Sequence, residues 1–253
     1  MANETNFNGK SVVYSKFRPD YPDQLLKNLI TDNNLHQNSV VADIGSGTGI
    51  MTKKLLEFGF KVFAVEPNDE MRVAASDNLK DYKQLILVNG SAENTTLKDN
   101  SVDIIVVAQA FHWFDGVSFR KECQRLLKPG GKVVIISNER VAEDKINKEI
   151  AEVYRKYCPN FKGFSNGMME TVGIYDNFFE EGYTFKSYGN PLIYNQSSFI
   201  GRHLSSSFSL TKEDELYSKL VEALSNIFER NSENGVLTLP NITKYRCGVV
   251  KES

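Results

Sequence analysis

Asp43, Gly45, Gly47 and Gly49 stand two apart in Val40-Val41-Ala42-Asp43-Ile44-Gly45-Ser46-Gly47-Thr48-Gly49-Ile50, and they are the residues most suited to holding a ligand. Glycine has no Cβ, so a turn built this way reaches positive φ and lets a ligand lie against bare backbone. A turn that opens a helix also aims N–H groups outward, a seat for a carboxylate or phosphate. Spacing narrows the choice. The dinucleotide fingerprint is G-x-G-x-x-G, with its third glycine inside the helix. Here the glycines are evenly spaced, and an acid stands two residues before the first. A carboxylate there opposes an anionic pyrophosphate and suits a ligand that carries an ammonium group.

Further candidates lie where apolar runs end. Lys61–Val65 runs into Glu66-Pro67-Asn68. A carboxylate at the carboxyl end of a strand sits where open α/β sheets bind ligands, and it can accept both hydroxyls of a ribose. Val102–Ala108 is the strongest apolar run and exits into Gln109-Ala110-Phe111-His112-Trp113-Phe114-Asp115. His112 is a candidate general base, because imidazole titrates near neutrality. Tyr14, Arg18, Arg202 and His203 are candidate polar groups for a second ligand. A guanidinium recognises a carboxylate with two parallel hydrogen bonds. His36, His112 and His203 lack metal-ligand spacing, so no metal is expected. Ser46 lies in a Gly-Ser-Gly, but no Gly-x-Ser-x-Gly elbow and no P-loop is present.

The elements that must position these residues read as alternating strands and helices. Val40–Ile44, Lys61–Val65, Gln84–Asn89, Val102–Ala108 and Lys132–Ser137 are strand-like. Between them stand helices over Met51–Glu57, from Asp69 through Met71 and Ala74, and from Gly116 to Leu127 behind the cap Asp115. Pro22 fits the first position of an earlier helix with Leu25, Leu26, Leu29 and Ile30 on one face. After Asn138 the pattern changes. Asp144–Tyr157 reads as a helix, Cys158–Gly182 as a glycine- and aromatic-rich lid, and Tyr183–Tyr194 as a sixth strand. A short helix over 197–204 and a longer one opened by a capping box at Thr211–Asp214 follow. Val236–Leu239 and Ile242–Val250 supply a seventh strand interrupted at Pro240.

These motifs together resemble the class I S-adenosylmethionine-dependent methyltransferases, in particular the type 11 small-molecule group. The resemblance covers Tyr14 to Ser137 well and the rest loosely. It implies a Rossmann-like, doubly wound α/β fold with a seven-stranded, mostly parallel sheet. Its seventh strand is antiparallel and sits beside the fifth. It implies that the turn Asp43 to Gly49, including Ser46 and Thr48, holds the methionine part of the cofactor, with Asp43 near its amino group. Glu66, Pro67 and Asn68 would take the ribose. Met71 is open between adenine packing and plain core. Ser91, Ala92 and Glu93 would meet the adenine, with the polar partner open between Glu93 and the Ser91–Ala92 side. Tyr14 and Arg18, in Tyr14-Ser15-Lys16-Phe17-Arg18-Pro19-Asp20-Tyr21-Pro22, would cover the cofactor. Gln109, Ala110 and Phe111 complete its seat, with His112, Trp113, Arg202 and His203 on the acceptor side.

The expected activity is methyl transfer to a small-molecule acceptor that bears a carboxylate. The alternatives are an NAD-dependent oxidoreductase and a non-catalytic nucleotide-binding module of the same fold. The 253 residues are read as one domain, 1–137 for the cofactor and 138–253 for the lid and last strands. Hydrophobic content of 41% and charged content of 25% are ordinary for a globular chain. A net charge of −2 with no basic block argues against a nucleic-acid surface. No run reaches membrane-spanning length, no signal peptide is visible, and three scattered cysteines suit a reducing cytoplasm. The expected state is a cytoplasmic monomer or homodimer.

Overall fold

The computed structural model describes residues 20–164, 173–180, 182–206 and 208–252. Its centre is a seven-stranded sheet. The first five strands are β1 (Val40–Ile44), β2 (Lys61–Val65), β3 (Leu85–Val88), β4 (Val102–Ala108) and β5 (Leu127–Arg140). β6 (Thr184–Gly189) and β9 (Asn241–Gly248) complete it, in the order β3-β2-β1-β4-β5-β9-β6. β1 to β5 are parallel, and β9 runs antiparallel between β5 and β6.

Strand periodicity explains why the central strands are apolar throughout. Successive side chains point to opposite faces, and helices cover both faces. Ala42, Ile44, Ile105, Val107, Val133 and Ile135 face one layer, with Phe119, Cys123 and Leu126 of α4 (Gly116–Leu126). Val41, Val62, Ile104, Val106, Val134 and Ile136 face the other. There they meet α1 (Asp23–Asp32) through Leu25, Leu26 and Leu29, and α2 (Ile50–Glu57) through Met51, Leu55 and Leu56. α3 (Asp69–Asn78) begins at Asn68, whose side chain accepts from the Met71 N–H, and Asp115 caps α4 through the Ser118 N–H.

Beyond β5 a separate apolar cluster forms. It draws on α5 (Lys145–Tyr157), α7 (Gln196–Leu204), α8 (Tyr217–Asn231) and a two-stranded ribbon of β7 (Leu192–Tyr194) with β8 (Leu237–Leu239). The short helix α6 (Ile174–Phe178) belongs instead to the main sheet, where Phe178 stacks on Phe119 with centroids 5.5 Å apart.

Three boundaries differ from the sequence reading. β5 starts at Leu127, taking in Pro129-Gly130-Gly131 where a plain link is expected, because Leu127 already pairs with Val102 before an irregularity in the ladder. The run Tyr183–Tyr194 splits between β6 and β7 around Gly189-Asn190-Pro191, where proline lacks the N–H that a continuous ladder needs. Val236–Leu239 correspondingly joins the ribbon, and β9 alone is the antiparallel strand. Finally, Thr211 and Asp214 close a turn and cap no helix. Asp214 Oδ2 accepts from the Thr211 N–H at 2.7 Å, and α8 begins only at Tyr217.

Candidate functional site

The strand order reverses between β1 and β4, and a cavity of about 420 Å³ opens at the carboxyl ends there. Ligands of open α/β sheets bind at such a switch point. Asp43, Gly45, Ser46, Gly47 and Thr48 line it from the β1 turn.

The glycines of that turn have different physical reasons. A Cβ on Gly45 would lie 2.6 Å from the Ala110 Cβ, and one on Gly49 2.6 Å from Leu79 Cδ1, so these two serve close packing. Gly47 has φ +56° and nothing within 4 Å of where its Cβ would be. Its missing side chain leaves room in the cavity itself.

Around that bare backbone stand polar atoms that no described residue satisfies. Asp43 is buried, and its Oδ2 accepts from Thr52 Oγ1 at 2.5 Å. Its Oδ1, Ser46 Oγ and Thr48 Oγ1 are buried with no hydrogen-bond partner among the described residues. Burial raises the Asp43 carboxyl from 3.8 to about 7; the Thr52 hydrogen bond works against that rise, and the charge of Glu66 adds to it. Buried polar atoms ordinarily have partners, so this group is suited to a ligand that brings a cation and donors.

Glu66 is aimed by backbone. Its Oε2 accepts from the Gly47 N–H at 3.0 Å and its Oε1 from the Asn68 N–H at 2.9 Å. A carboxylate oxygen can accept from more than one donor. Pro67, Asn68 and Met71 line the cavity beside it, and Ser91, Ala92 and Glu93 line it from the β3 exit. Glu93 Oε1 accepts from the Asp115 N–H at 3.0 Å, joining the β3 and β4 exits.

The β4 exit bends sharply. Gln109 has φ +62°, an unusual conformation for a residue with a side chain. It is held there by its own N–H to the Ile136 carbonyl at 2.9 Å and by its Nε2 to the Asn138 carbonyl at 3.1 Å. The bend leads into a 3₁₀ turn over Phe111–Trp113. Gln109, Ala110 and Trp113 line the cavity.

The structure departs from the sequence expectation at five described positions. Gly49 lies behind the turn against Leu79. Phe111 is buried in the core, packed on Phe178 and Tyr175. His112 is exposed on the 3₁₀ turn, beside Trp113 and off the cavity wall, because one turn cannot aim successive side chains the same way. Arg202 and His203 are buried in the second cluster on α7, where His203 Nδ1 lies 2.7 Å from Tyr154 Oη. Tyr14 and Arg18 fall outside the described residues.

Tyr21, Ile50, Met51, Ala108, Phe114, Asp115 and Asn138 also line the cavity. Tyr21, Phe114 and Asp115 belong to stretches already notable for their aromatics and caps. Asn138 carries no motif and stands just past the expected end of β5. Among the described residues no group of His, Cys, Asp and Glu could hold a metal ion, and no helix is long and apolar enough to cross a membrane.

Comparison with known proteins agrees with this geometry. Residues 42–135 match the family model of a methyltransferase domain. An uncharacterized methyltransferase of Mycobacterium tuberculosis is 36% identical over 141 residues, 56% of this chain and 55% of the relative. An uncharacterized methyltransferase-like protein of Schizosaccharomyces pombe is 31% identical over 153 residues, 58% of each. The chain thus spans little more than half the length of these relatives. Among solved structures, a protein assigned as a type II methyltransferase from Anaeromyxobacter dehalogenans shares the fold with a TM-score of 0.65 at 20% identity, over 92% of this chain and 98% of that one.

Proposed function

We propose that this chain, whose residues 42–135 match a methyltransferase domain, is a class I S-adenosylmethionine-dependent methyltransferase that transfers the methyl group of S-adenosylmethionine to a small-molecule acceptor. One observation carries the proposal most. A buried acid with an unpartnered oxygen, a side-chain-free Gly47 and a carboxylate clamped by two backbone N–H groups face one cavity. That set fits a ligand with an ammonium group at one end and a ribose further along.

When bound, S-adenosylmethionine supplies an electrophilic methyl group on a sulfonium. The protein's share is binding and orientation. Asp43 would hold the ammonium, Glu66 the ribose hydroxyls, and Met71 with Ser91, Ala92 and Glu93 the adenine. Trp113 and Phe114 form an apolar wall that excludes water and aligns the acceptor with the methyl group. His112 is not among the described residues that line the cavity.

A carboxylate on the acceptor would be met by Arg18, three residues before the cavity-lining Tyr21. Arg202 no longer supports that reading, being buried in the second cluster and off the cavity wall.

The test is transfer of labelled methyl from S-adenosylmethionine to a panel of small acids, alcohols and amines. Trp113→Ala should lower turnover about tenfold or more while leaving cofactor affinity within a few-fold. Cofactor binding with no transfer across the panel would favour a non-catalytic module of the same fold.

A further inference from the structure

Asn138 lines the cavity from β5, two strands from the Asp43 turn. A hydrogen-bond relay from the far edge of the sheet determines which end of its amide meets a ligand. The relay begins at Asn190, between β6 and β7, whose Nδ2 donates to the Asp20 carbonyl at 2.8 Å. That contact identifies the Asn190 atom as nitrogen, because a carbonyl only accepts. The same nitrogen donates to Thr243 Oγ1 on β9 at 3.0 Å. The buried Thr243 hydroxyl then has its single proton for Asn138 Oδ1, its other close partner, and Asn190 Nδ2 also reaches that oxygen at 3.3 Å.

Asn138 Oδ1 is therefore fixed as the engaged acceptor. Its Nδ2 is buried and has no hydrogen-bond partner among the described residues. A buried amide nitrogen left in this state is an unmet donor. The other unpartnered polar atoms of the cavity, on Asp43, Ser46 and Thr48, all belong to the β1 turn. Strands lie about 4.8 Å apart, which puts Asn138 roughly 10 Å from that turn. It stands on the strand beside the one that leads to Trp113.

We infer that Asn138 is a specificity residue for the acceptor: its amide nitrogen donates to an oxygen of the molecule to be methylated, a carbonyl, carboxylate or phenolate. Thr243 and Asn190 are positioning residues that keep the amide from turning over. The inference rests on the methyltransferase reading of the cavity. An acceptor presenting a cationic amine at this point is refused, because it would place donor against donor.

The experiment uses the full chain saturated with S-adenosylhomocysteine, with acetate and benzoate as oxygen probes and benzylamine as the nitrogen probe. The Asn138 side-chain amide pair is assigned in the parent's own ¹⁵N spectrum, by correlation through its side-chain carbons to the Asn138 backbone. Acetate or benzoate should move that pair saturably, and benzylamine should not. Asn138→Asp should weaken the oxygen probe at least tenfold and improve benzylamine binding. Thr243→Val should weaken the oxygen probe several-fold by freeing the amide to turn. S-adenosylhomocysteine affinity should stay within about twofold in both variants. A purely structural Asn138 predicts no reversal of probe preference. An amide pair that neither oxygen probe moves, or unchanged probe affinity in Asn138→Asp, overturns the inference. The parent spectrum decides the matter even if a variant fails to fold. Failure of S-adenosylhomocysteine to bind the parent would bring down the cofactor reading first, and this inference with it.

Discussion

The cavity and the cluster beyond β5 surround their buried polar groups differently: both hold atoms without a hydrogen-bond partner among the described residues, His203 Nε2 and Asn147 Oδ1 in the cluster, but those of the cavity belong to residues that line open space. At the cavity, Asp43 Oδ1, Ser46 Oγ, Thr48 Oγ1 and Asn138 Nδ2 have no hydrogen-bond partner among the described residues, and their residues line open space. In the second cluster, Tyr154 Oη lies 2.7 Å from His203 Nδ1 and donates to the His203 carbonyl at 3.0 Å, inside a shell of Phe161, Phe164, Phe199 and Phe208. The first region is arranged for a ligand, and the second packs two of its helices together.

The two regions also respond to protons with opposite signs. Asp43 titrates higher folded than unfolded, so the folded state holds its proton more tightly between pH 3.8 and about 7. Its contribution to stability falls as pH rises through that window. His203 is pushed well below 6.5, by burial first and then by the positive charges of Arg140 and Arg202. The unfolded chain takes up that proton and the folded one refuses it, so stability falls as pH drops below about 6.5.

The largest effect expected from breaking this division is Gly47→Val. A β-branched side chain at φ +56° would be strained, and it would enter the cavity from a Cβ that has no described atom within 4 Å. Cofactor binding should fall more than about a hundredfold by calorimetry, with folding retained; parent-like affinity in a folded variant would contradict the placement. Next comes Glu66→Ala. It removes charged hydrogen bonds worth about 1–3 kcal/mol, so roughly ten- to a hundredfold in S-adenosylhomocysteine affinity. It also frees the Gly47 and Asn68 N–H groups that Glu66 holds.

A smaller effect is the pH profile of binding. An ammonium ligand requires ionised Asp43, so affinity should weaken about tenfold from pH 8 to pH 6 around the value near 7. Asp43→Asn should flatten the profile, and an unchanged slope in that variant would point to another group. The smallest effect at the cavity should come from Tyr154→Phe. Losing a buried hydroxyl that serves His203 should cost about 1–3 kcal/mol of stability, read as a lower Tm. Cofactor affinity should remain within twofold; a tenfold loss would show the two regions to be energetically coupled.

The same contrast explains what was legible in the sequence. The sheet could be read because parallel strands buried on both faces are nearly continuous apolar runs, as in Val102–Ala108. Asp43, Gly47 and Glu66 could be placed because glycine and acid at strand ends have narrow physical uses. His112 could not be placed, because residue type says nothing about which way a 3₁₀ turn aims a side chain. Arg202 and His203 look like surface or ligand groups in a sequence, and burial in a helical cluster depends on contacts far along the chain. Asn138 was invisible for the same reason: its significance comes from Thr243 and Asn190, residues more than fifty positions away.

The most direct measurement of the central claim is a calorimetric titration of the full chain with S-adenosylhomocysteine and, separately, with NAD. The structure predicts saturable binding of S-adenosylhomocysteine that Gly47→Val abolishes, a rise in Tm with ligand concentration, and little or no heat with NAD. Binding of NAD without binding of S-adenosylhomocysteine would contradict it.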